Sequence, residues 1–121
     1  MVKIGDKKIS ADDFYKVLIS NLELHLDEEA LRKVYRSHYF LKEFTREKLI
    51  YGINTGFGPM AQYRINHDDQ MKLQYNLIRS HCSGSGNPIP EIDCKAVMLA
   101  RLNTLMQGFA GIHPDALILI K

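Results

Sequence analysis

A glycine-rich octapeptide near the middle of the chain places the strongest constraint on how this chain can fold. It reads Tyr51-Gly52-Ile53-Asn54-Thr55-Gly56-Phe57-Gly58. Three glycines in eight positions disfavour both helix and strand, so the segment is predicted to be a loop with a defined backbone shape. Asn54 is interpreted as a turn-forming residue. Tyr51 opens the loop, and its phenol can carry a proton in catalysis only if its surroundings favour the phenolate.

The segment before the octapeptide combines short extended stretches with a helix. Residues 2–9 alternate apolar and polar side chains, which predicts a short hairpin or strand pair, and residues 22–26 predict another extended segment. Ser10 and Asp13 have the spacing of a capping box, in which a hydroxyl and a carboxylate satisfy free backbone N–H groups. We therefore expect a helix from Ser10 to about Ser20.

The rest of the chain is predicted to be mainly helical. A second helix is predicted from Asp27, because three acids fall in its first turn. A third is predicted from Asn66 to His81, and a fourth over residues 92–109, where apolar side chains surround most of the circumference and predict burial. Residues 116–120 are strongly apolar and only one residue follows, so we expect exposed apolar surface there and a longer parent protein. The predicted fold class is mainly α, with short β segments near the N-terminus.

Composition and charge exclude several classes of protein. The chain has 121 residues, 45% of them apolar, and a net charge of +2. This is enough for one small globular unit over residues 1–121, and the dispersed charge argues against a nucleic-acid partner. No run approaches the ~18 apolar residues of a membrane span, and residues 1–8 do not resemble a secretory signal. Cys82 and Cys94 have no metal-site or disulfide spacing, so a cytoplasmic location is expected.

A second motif lies downstream of the octapeptide. It reads Leu73-Gln74-Tyr75-Asn76-Leu77-Ile78-Arg79-Ser80-His81. Together the two motifs resemble the aromatic amino acid ammonia-lyase family, which includes histidine, phenylalanine and tyrosine ammonia-lyases. The likeness is to the N-terminal portion of the family, and it extends to residues 59–65 and 101–105. The resemblance implies the helical N-terminal portion of an ammonia-lyase-like fold.

The resemblance also implies a reaction. Family members eliminate ammonia from a small-molecule aromatic L-amino acid and leave an α,β-unsaturated acid. They use no metal; their electrophile is a methylidene-imidazolone that forms from an internal Ala-Ser-Gly, and their sites are shared among the subunits of a homotetramer. No Ala-Ser-Gly occurs in these 121 residues. We therefore expect the chain alone to be inactive.

By the resemblance, three residues take part in the active site. Tyr51 would be the base that removes the β-proton, His81 would bind the substrate side chain as a hydrogen-bond donor, and Gly58 would line the pocket. Each residue also has a purely structural interpretation. Tyr51 could be a buried loop aromatic, His81 a core histidine on the inward face shared by Leu73 and Leu77, and Gly58 a turn glycine.

The substrate and the reaction type stay open at this point. Ser80-His81 resembles the histidine branch of the family, whereas residues 59–65 and 74–79 resemble a bacterial tyrosine branch. An aminomutase of the same family, which adds ammonia back at the β-carbon, is also compatible with these motifs. The alternative from another class is a non-enzymatic helical interaction module or a truncated fragment.

Three other segments contain reactive residue types. Cys82-Ser83-Gly84 resembles a variant of the cyclising tripeptide, but it directly follows His81 and is predicted to be the end of a helix. His67-Asp68-Asp69 and His113-Pro114-Asp115 contain metal-ligand types without a metal-site spacing. We interpret these two segments as helix-start and turn residues.

Overall fold

The computed structural model describes every residue from Met1 to Lys121 and is mainly α, as predicted. Its elements, in chain order, are β1 (Val2–Ile4), α1 (Ala11–Leu18), β2 (Leu24–Leu26), α2 (Glu28–Phe44), α3 (His67–His81), α4 (Glu91–Leu105) and α5 (Pro114–Ile120), with a 3-10 turn at Gly58–Met60. The residues form two compact units. The first unit contains residues 1–41 and 88–121, and the second unit contains residues 42–87.

The two short strands pair with each other in parallel. Val2 lies opposite Leu24 and Ile4 lies opposite Leu26. The strand character of both segments is confirmed, but a hairpin within residues 2–9 is wrong. Alternating side chains identify a strand without identifying its partner, and a parallel partner requires a crossover, which α1 provides here.

Two carboxylates begin the first helices of the first unit. The predicted capping box of α1 is confirmed: the Asp13 N–H donates to Ser10 Oγ at 3.2 Å, and Asp13 Oδ2 accepts the Ser10 N–H at 2.9 Å. Hydrogen bonds from the Ser10 backbone and hydroxyl hold the pKa of Asp13 below its ordinary value. At the start of α2, Asp27 Oδ1 accepts the Ala30 N–H at 2.8 Å, and Asp27 Oδ2 lies 2.5 Å from Lys3 Nζ. These bonds connect β1 to the first turn of α2.

The core of the first unit is formed by both ends of the chain. Its buried apolar residues are Val2, Ile4, Ala30, Val34, Leu99, Leu102, Leu105, Met106 and Leu117. The prediction that the fourth helix is buried on most sides is wrong for this chain, because Val97 and Met98 of α4 are exposed. Apolar residues surround α4, but the first unit covers only one of its faces. At the other end, Ile118 and Leu119 are exposed, as predicted.

The second unit contains the end of α2, the octapeptide and α3. The predicted bounds of α3 are confirmed, although Asn66 precedes the helix without making a side-chain capping bond. No residue of α3 is buried. None of the helices in the chain combines the length and apolar character needed to cross a membrane.

Candidate active site

The octapeptide folds into successive turns that pair with the segment just before α3. The Ile65 N–H donates to the Asn54 carbonyl at 2.9 Å, and the Gly56 N–H donates to the Tyr63 carbonyl at 3.3 Å. Thr55 and Arg64 form a bridge of the antiparallel type between these bonds. The predicted loop is therefore confirmed, and backbone hydrogen bonds define its shape.

The side chain of Asn54 makes three hydrogen bonds inside the second unit. Its Oδ1 accepts the Ile50 N–H at 2.8 Å, and its Nδ2 donates to the carbonyls of Thr45 at 2.8 Å and Lys48 at 2.7 Å. Only 4% of Asn54 is exposed. Asn54 therefore does more than form a turn, because its side-chain amide joins the octapeptide to the segment that precedes it.

Two further side chains, those of Thr55 and Arg64, stabilise the octapeptide and the segment before it. Neither role was predicted from the sequence. Thr55 is 1% exposed, and its Oγ1 accepts the Gly52 N–H at 3.3 Å and donates to the Gly56 carbonyl at 2.9 Å. Arg64 donates from Nη1 to the Arg46 carbonyl at 3.2 Å. The only sequence signal was their position in or near the octapeptide, since threonine and arginine occur commonly in loops.

Tyr51 lies at the surface of the second unit. It is 63% exposed, and its ring meets the Phe57 ring edge to face with centroids 6.0 Å apart. Its hydroxyl oxygen accepts the Gly58 N–H at 3.5 Å. The interpretation of Tyr51 as a buried loop aromatic is therefore wrong. The phenol of Tyr51 is thus accessible, and its oxygen contacts the backbone at the far end of the same loop.

Gly58 has the left-handed backbone conformation, with φ +55°. A Cβ added at this position would meet no atom within 4 Å. The requirement for glycine here therefore comes from the backbone and not from a close neighbour in this chain. A pocket-lining role for Gly58 stays a prediction.

His81 is the last residue of α3 and is exposed. The structural interpretation of His81 as a core histidine is wrong, because His81 is exposed and the leucines on its helix face, Leu73 and Leu77, are only half-buried. Helical spacing predicts which residues share a face but does not predict whether another element covers that face.

Two neighbours lie within hydrogen-bond distance of the His81 ring. Nδ1 lies 2.9 Å from the Leu77 carbonyl oxygen and 3.0 Å from Ser80 Oγ. Because a carbonyl can only accept, the neutral tautomer with hydrogen on Nδ1 donates to Leu77 and leaves Nε2 as an acceptor. The donor role that the resemblance implies for His81 stays a prediction.

The structure brings some of the predicted residues together and leaves others apart. Tyr51 and Gly58 share a hydrogen bond, whereas the hydrogen bonds of His81 stay within its own helix and reach neither of them. The two motifs nevertheless meet at a groove of about 450 Å³ in the second unit. The groove is lined by Ile53 of the octapeptide and by Gln70, Met71, Gln74, Tyr75 and Ile78 of α3.

Comparison with known proteins identifies the family. The sequence model of the family described as "Aromatic amino acid lyase" matches residues 9–120 of this chain. The chain belongs to the aromatic amino acid lyase family. It corresponds to the N-terminal portion of the family, as the two motifs predicted.

Named relatives of this chain include two kinds of enzyme. Histidine ammonia-lyase of Streptococcus pyogenes serotype M1 is 34% identical over 114 residues, which cover 93% of this chain and 22% of the relative. Tyrosine 2,3-aminomutase of Myxococcus fulvus is 38% identical over 109 residues, which cover 89% of this chain and 21% of the relative. The chain thus spans about a fifth of the length of these relatives.

A solved structure confirms the fold of this chain. The crystal structure of tyrosine aminomutase from Streptomyces globisporus matches the chain with a TM-score of 0.88 and 27% sequence identity. The match covers 98% of this chain and 23% of that chain. The mainly helical, ammonia-lyase-like fold predicted from the motifs is therefore confirmed.

The methylidene-imidazolone of the aromatic amino acid lyases does not fit the residues of this chain. No Ala-Ser-Gly is present, and Cys82 ends α3, where its N–H donates to the Ile78 carbonyl at 2.8 Å. Ser83 and Gly84 follow in an exposed segment. Cys82-Ser83-Gly84 therefore occupies the predicted helix-end position, and these 121 residues do not contain the tripeptide from which the electrophile of the family forms.

The two histidine-containing segments, at His67 and at His113, lie at helix starts. His113 Nδ1 accepts the Asp115 N–H at 3.2 Å at the beginning of α5, and the His113 ring meets the His38 ring with centroids 4.8 Å apart. His67 and Asp68 are fully exposed in the first turn of α3. No group of three His, Cys, Asp or Glu side chains is arranged to hold a metal ion.

Proposed function

We propose that the complete protein eliminates ammonia from an aromatic L-amino acid, with Tyr51 as the base that removes the β-proton. The observation that carries this proposal is the Tyr51 hydroxyl oxygen, which is accessible, lies on a loop held by buried side chains, and accepts the Gly58 N–H. Membership of the aromatic amino acid lyase family supports the class of reaction.

In the proposed reaction, the base comes from this chain and the electrophile comes from the rest of the protein. In the family, the methylidene-imidazolone would supply the electron withdrawal without which the β-hydrogen is scarcely acidic. In the proposed reaction the phenolate oxygen of Tyr51 takes the β-proton, and the electrons of the C–H bond form the Cα–Cβ double bond. The amino group leaves with the electrons of the C–N bond. Because these 121 residues hold the base but not the electrophile, we propose that they are inactive alone.

The tautomer of His81 with hydrogen on Nδ1 suits a particular class of substrate. A neutral ring with hydrogen on Nδ1 offers an Nε2 lone pair, which matches a side chain that donates a hydrogen bond. The phenol of tyrosine and the imidazole of histidine both have such a donor, whereas phenylalanine has none. We therefore propose tyrosine or histidine as the substrate, with His81 as the residue that binds its ring.

The proposal also includes an oligomeric state and a cellular location for the complete enzyme. Val97 and Met98 of α4 and Leu119 of α5 expose apolar surface in this chain. Surface of this kind is usually covered by protein, which supports a homotetramer of the complete enzyme. Both cysteines are free thiols, which fits a reducing compartment such as the cytoplasm.

A second candidate reaction is the amino shift of an aminomutase. The tyrosine 2,3-aminomutase of Myxococcus fulvus, at 38% identity, favours this candidate. Both reactions begin with loss of the β-proton, so Tyr51 would have the same role in each. Chromatography of the products of tyrosine separates them: an unsaturated acid indicates a lyase, and a β-amino acid indicates an aminomutase.

The test of the base is a Tyr51→Phe variant of the complete gene product. Loss of a general base should lower kcat about 100- to 10,000-fold, measured by ultraviolet absorbance of the unsaturated acid. Tyr39→Phe is the matched control, because Tyr39 is another exposed tyrosine and lies on α2, outside the octapeptide. Wild-type turnover in Tyr51→Phe would remove Tyr51 from the mechanism.

A further inference from the structure

We propose that Asn54 and Thr55 are positioning residues that hold the Tyr51 phenol in the geometry needed for proton removal. This inference rests on the proposed role of Tyr51 as the base. It concerns two residues whose side chains hydrogen-bond to the backbone on either side of Tyr51.

The first step concerns the residue before Tyr51. Asn54 Oδ1 accepts the Ile50 N–H at 2.8 Å, and the Asn54 N–H donates back to the Ile50 carbonyl at 3.3 Å. The Nδ2 donors of Asn54 hold the carbonyls of Thr45 and Lys48, which lie upstream of Ile50. Asn54 thus defines the path of the backbone as it arrives at Tyr51.

The second step concerns the residue after Tyr51. The hydroxyl of Thr55 accepts the Gly52 N–H at 3.3 Å and donates to the Gly56 carbonyl at 2.9 Å. Ile50 is therefore held by Asn54 and Gly52 is held by Thr55. Because both peptide neighbours of Tyr51 are fixed, the starting point of the exposed phenol is fixed as well.

The third step concerns burial. Asn54 and Thr55 are buried polar residues, at 4% and 1% exposure, in a unit that buries very little else. Burying a polar group costs free energy unless its hydrogen bonds are made, and here the amide uses its acceptor and both donors. An asparagine that only forms a turn needs one local hydrogen bond. Asn54 makes three side-chain hydrogen bonds, and such a set can hold the backbone next to an exposed catalytic group rigid.

The test uses Asn54→Asp in the complete gene product. Aspartate keeps the shape and the oxygen that faces Ile50, but it replaces both donors with an oxygen that faces the carbonyls of Thr45 and Lys48. We expect kcat to fall about 100-fold, the effect of a misplaced catalytic group, while KM stays within about twofold. Hydrogen exchange should also become faster in residues 45–58. Asn66→Asp is the control, since Asn66 makes no side-chain capping bond.

A second variant covers the case in which Asn54→Asp does not fold. Thr55→Val keeps the shape of the side chain and removes the hydroxyl that bridges Gly52 and Gly56. We expect kcat to fall about 10-fold with a similar KM and with faster exchange in the same segment. Wild-type kcat in a folded Asn54→Asp variant, or in Thr55→Val, would overturn the proposal.

A double variant separates this proposal from the proposed function. If Asn54 acts through Tyr51, Asn54→Asp should cost almost nothing further once Tyr51→Phe is present, with the residual rate followed in long incubations. Losses that multiply would overturn the positioning role while leaving Tyr51 as the base. Wild-type turnover in Tyr51→Phe alone would instead reject the proposed function itself.

Discussion

The hydroxyl oxygen of Tyr51 accepts the backbone N–H of Gly58, so one hydrogen bond of 3.5 Å joins the first and last residues of the octapeptide. The N–H of Gly58 is directed by a left-handed backbone, with φ +55°. The phenol and the glycine therefore depend on each other, although seven positions separate them.

We predict that Gly58→Ala weakens the function of the loop. A side chain in the left-handed region costs about 1–2 kcal/mol, so the backbone should rotate and withdraw its N–H from the Tyr51 oxygen. Gly84→Ala is the matched control, because a Cβ there also meets nothing within 4 Å and no positive φ is present. Turnover of the complete gene product should fall in Gly58→Ala and stay normal in Gly84→Ala. Equal turnover in the two variants would show that the conformation of Gly58 is not required.

Local sequence signals predicted the parts of the fold whose partners are close in the chain. The capping box of Ser10 and Asp13 and the bounds of α3 are examples, since every interaction involved lies within a few residues. The pairing of Val2 with Leu24 was not predictable, because alternation of side chains contains no information about the partner strand.

In the candidate site, too, features that depend on neighbouring residues were predictable from the sequence, and features that depend on other segments were not. Glycine content predicted that residues 51–58 form a shaped loop, and the motif placed Tyr51 at its start. The role of the Asn54 amide was not predictable, because its partners Thr45 and Lys48 lie outside the octapeptide in an irregular segment. The exposure of His81 was also missed, since helical spacing does not reveal what covers a face.

We predict that two leucines of α5 differ sharply in their contribution to stability. Leu117 is 0% exposed in the core of the first unit, whereas Leu119 is 86% exposed. Leu117→Ala should lower the free energy of unfolding by about 2–5 kcal/mol, and Leu119→Ala should change it by less than about 0.5 kcal/mol. Urea denaturation of the chain measures both values. A similar loss in the two variants would contradict the packing of α5.

We predict that the Asp27 carboxylate stabilises the first unit in a defined pH window. The hydrogen-bonded ion pair with Lys3, followed by the Ala30 N–H, lowers the pKa of Asp27 below its ordinary value. A lowered folded-state pKa gives stability that is fully present above the ordinary value of about 3.9 and is lost as the pH falls through the folded value. The same pair raises the pKa of Lys3, so its contribution is full below about pH 10.4 and is lost above the folded value.

The measurement is unfolding by denaturant at a series of pH values. Asp27→Asn should destabilise the chain near neutral pH, and its deficit relative to wild type should shrink below about pH 4. Asp68→Asn is the control, because the Asp68 carboxylate is fully exposed at the start of α3. A deficit of constant size from neutral pH to pH 2 would show that the Asp27 charge does not contribute.

We predict that His81→Leu discriminates among substrates by their side-chain donors. Leucine has nearly the volume of histidine but offers no Nε2 acceptor, so the ring donor of tyrosine or histidine would be left unpaired in the complex. An unpaired buried donor costs about 1–3 kcal/mol, which is roughly 5- to 150-fold in kcat/KM. Phenylalanine has no ring donor and should lose much less. Initial rates of the complete gene product on the three amino acids give the comparison, and Ser80→Ala, which leaves Nε2 in place, is the control. An equal loss of kcat/KM for phenylalanine and for the preferred substrate would show that His81 does not bind the substrate ring. A lost acceptor lowers kcat/KM only for a substrate that donates a hydrogen bond to it.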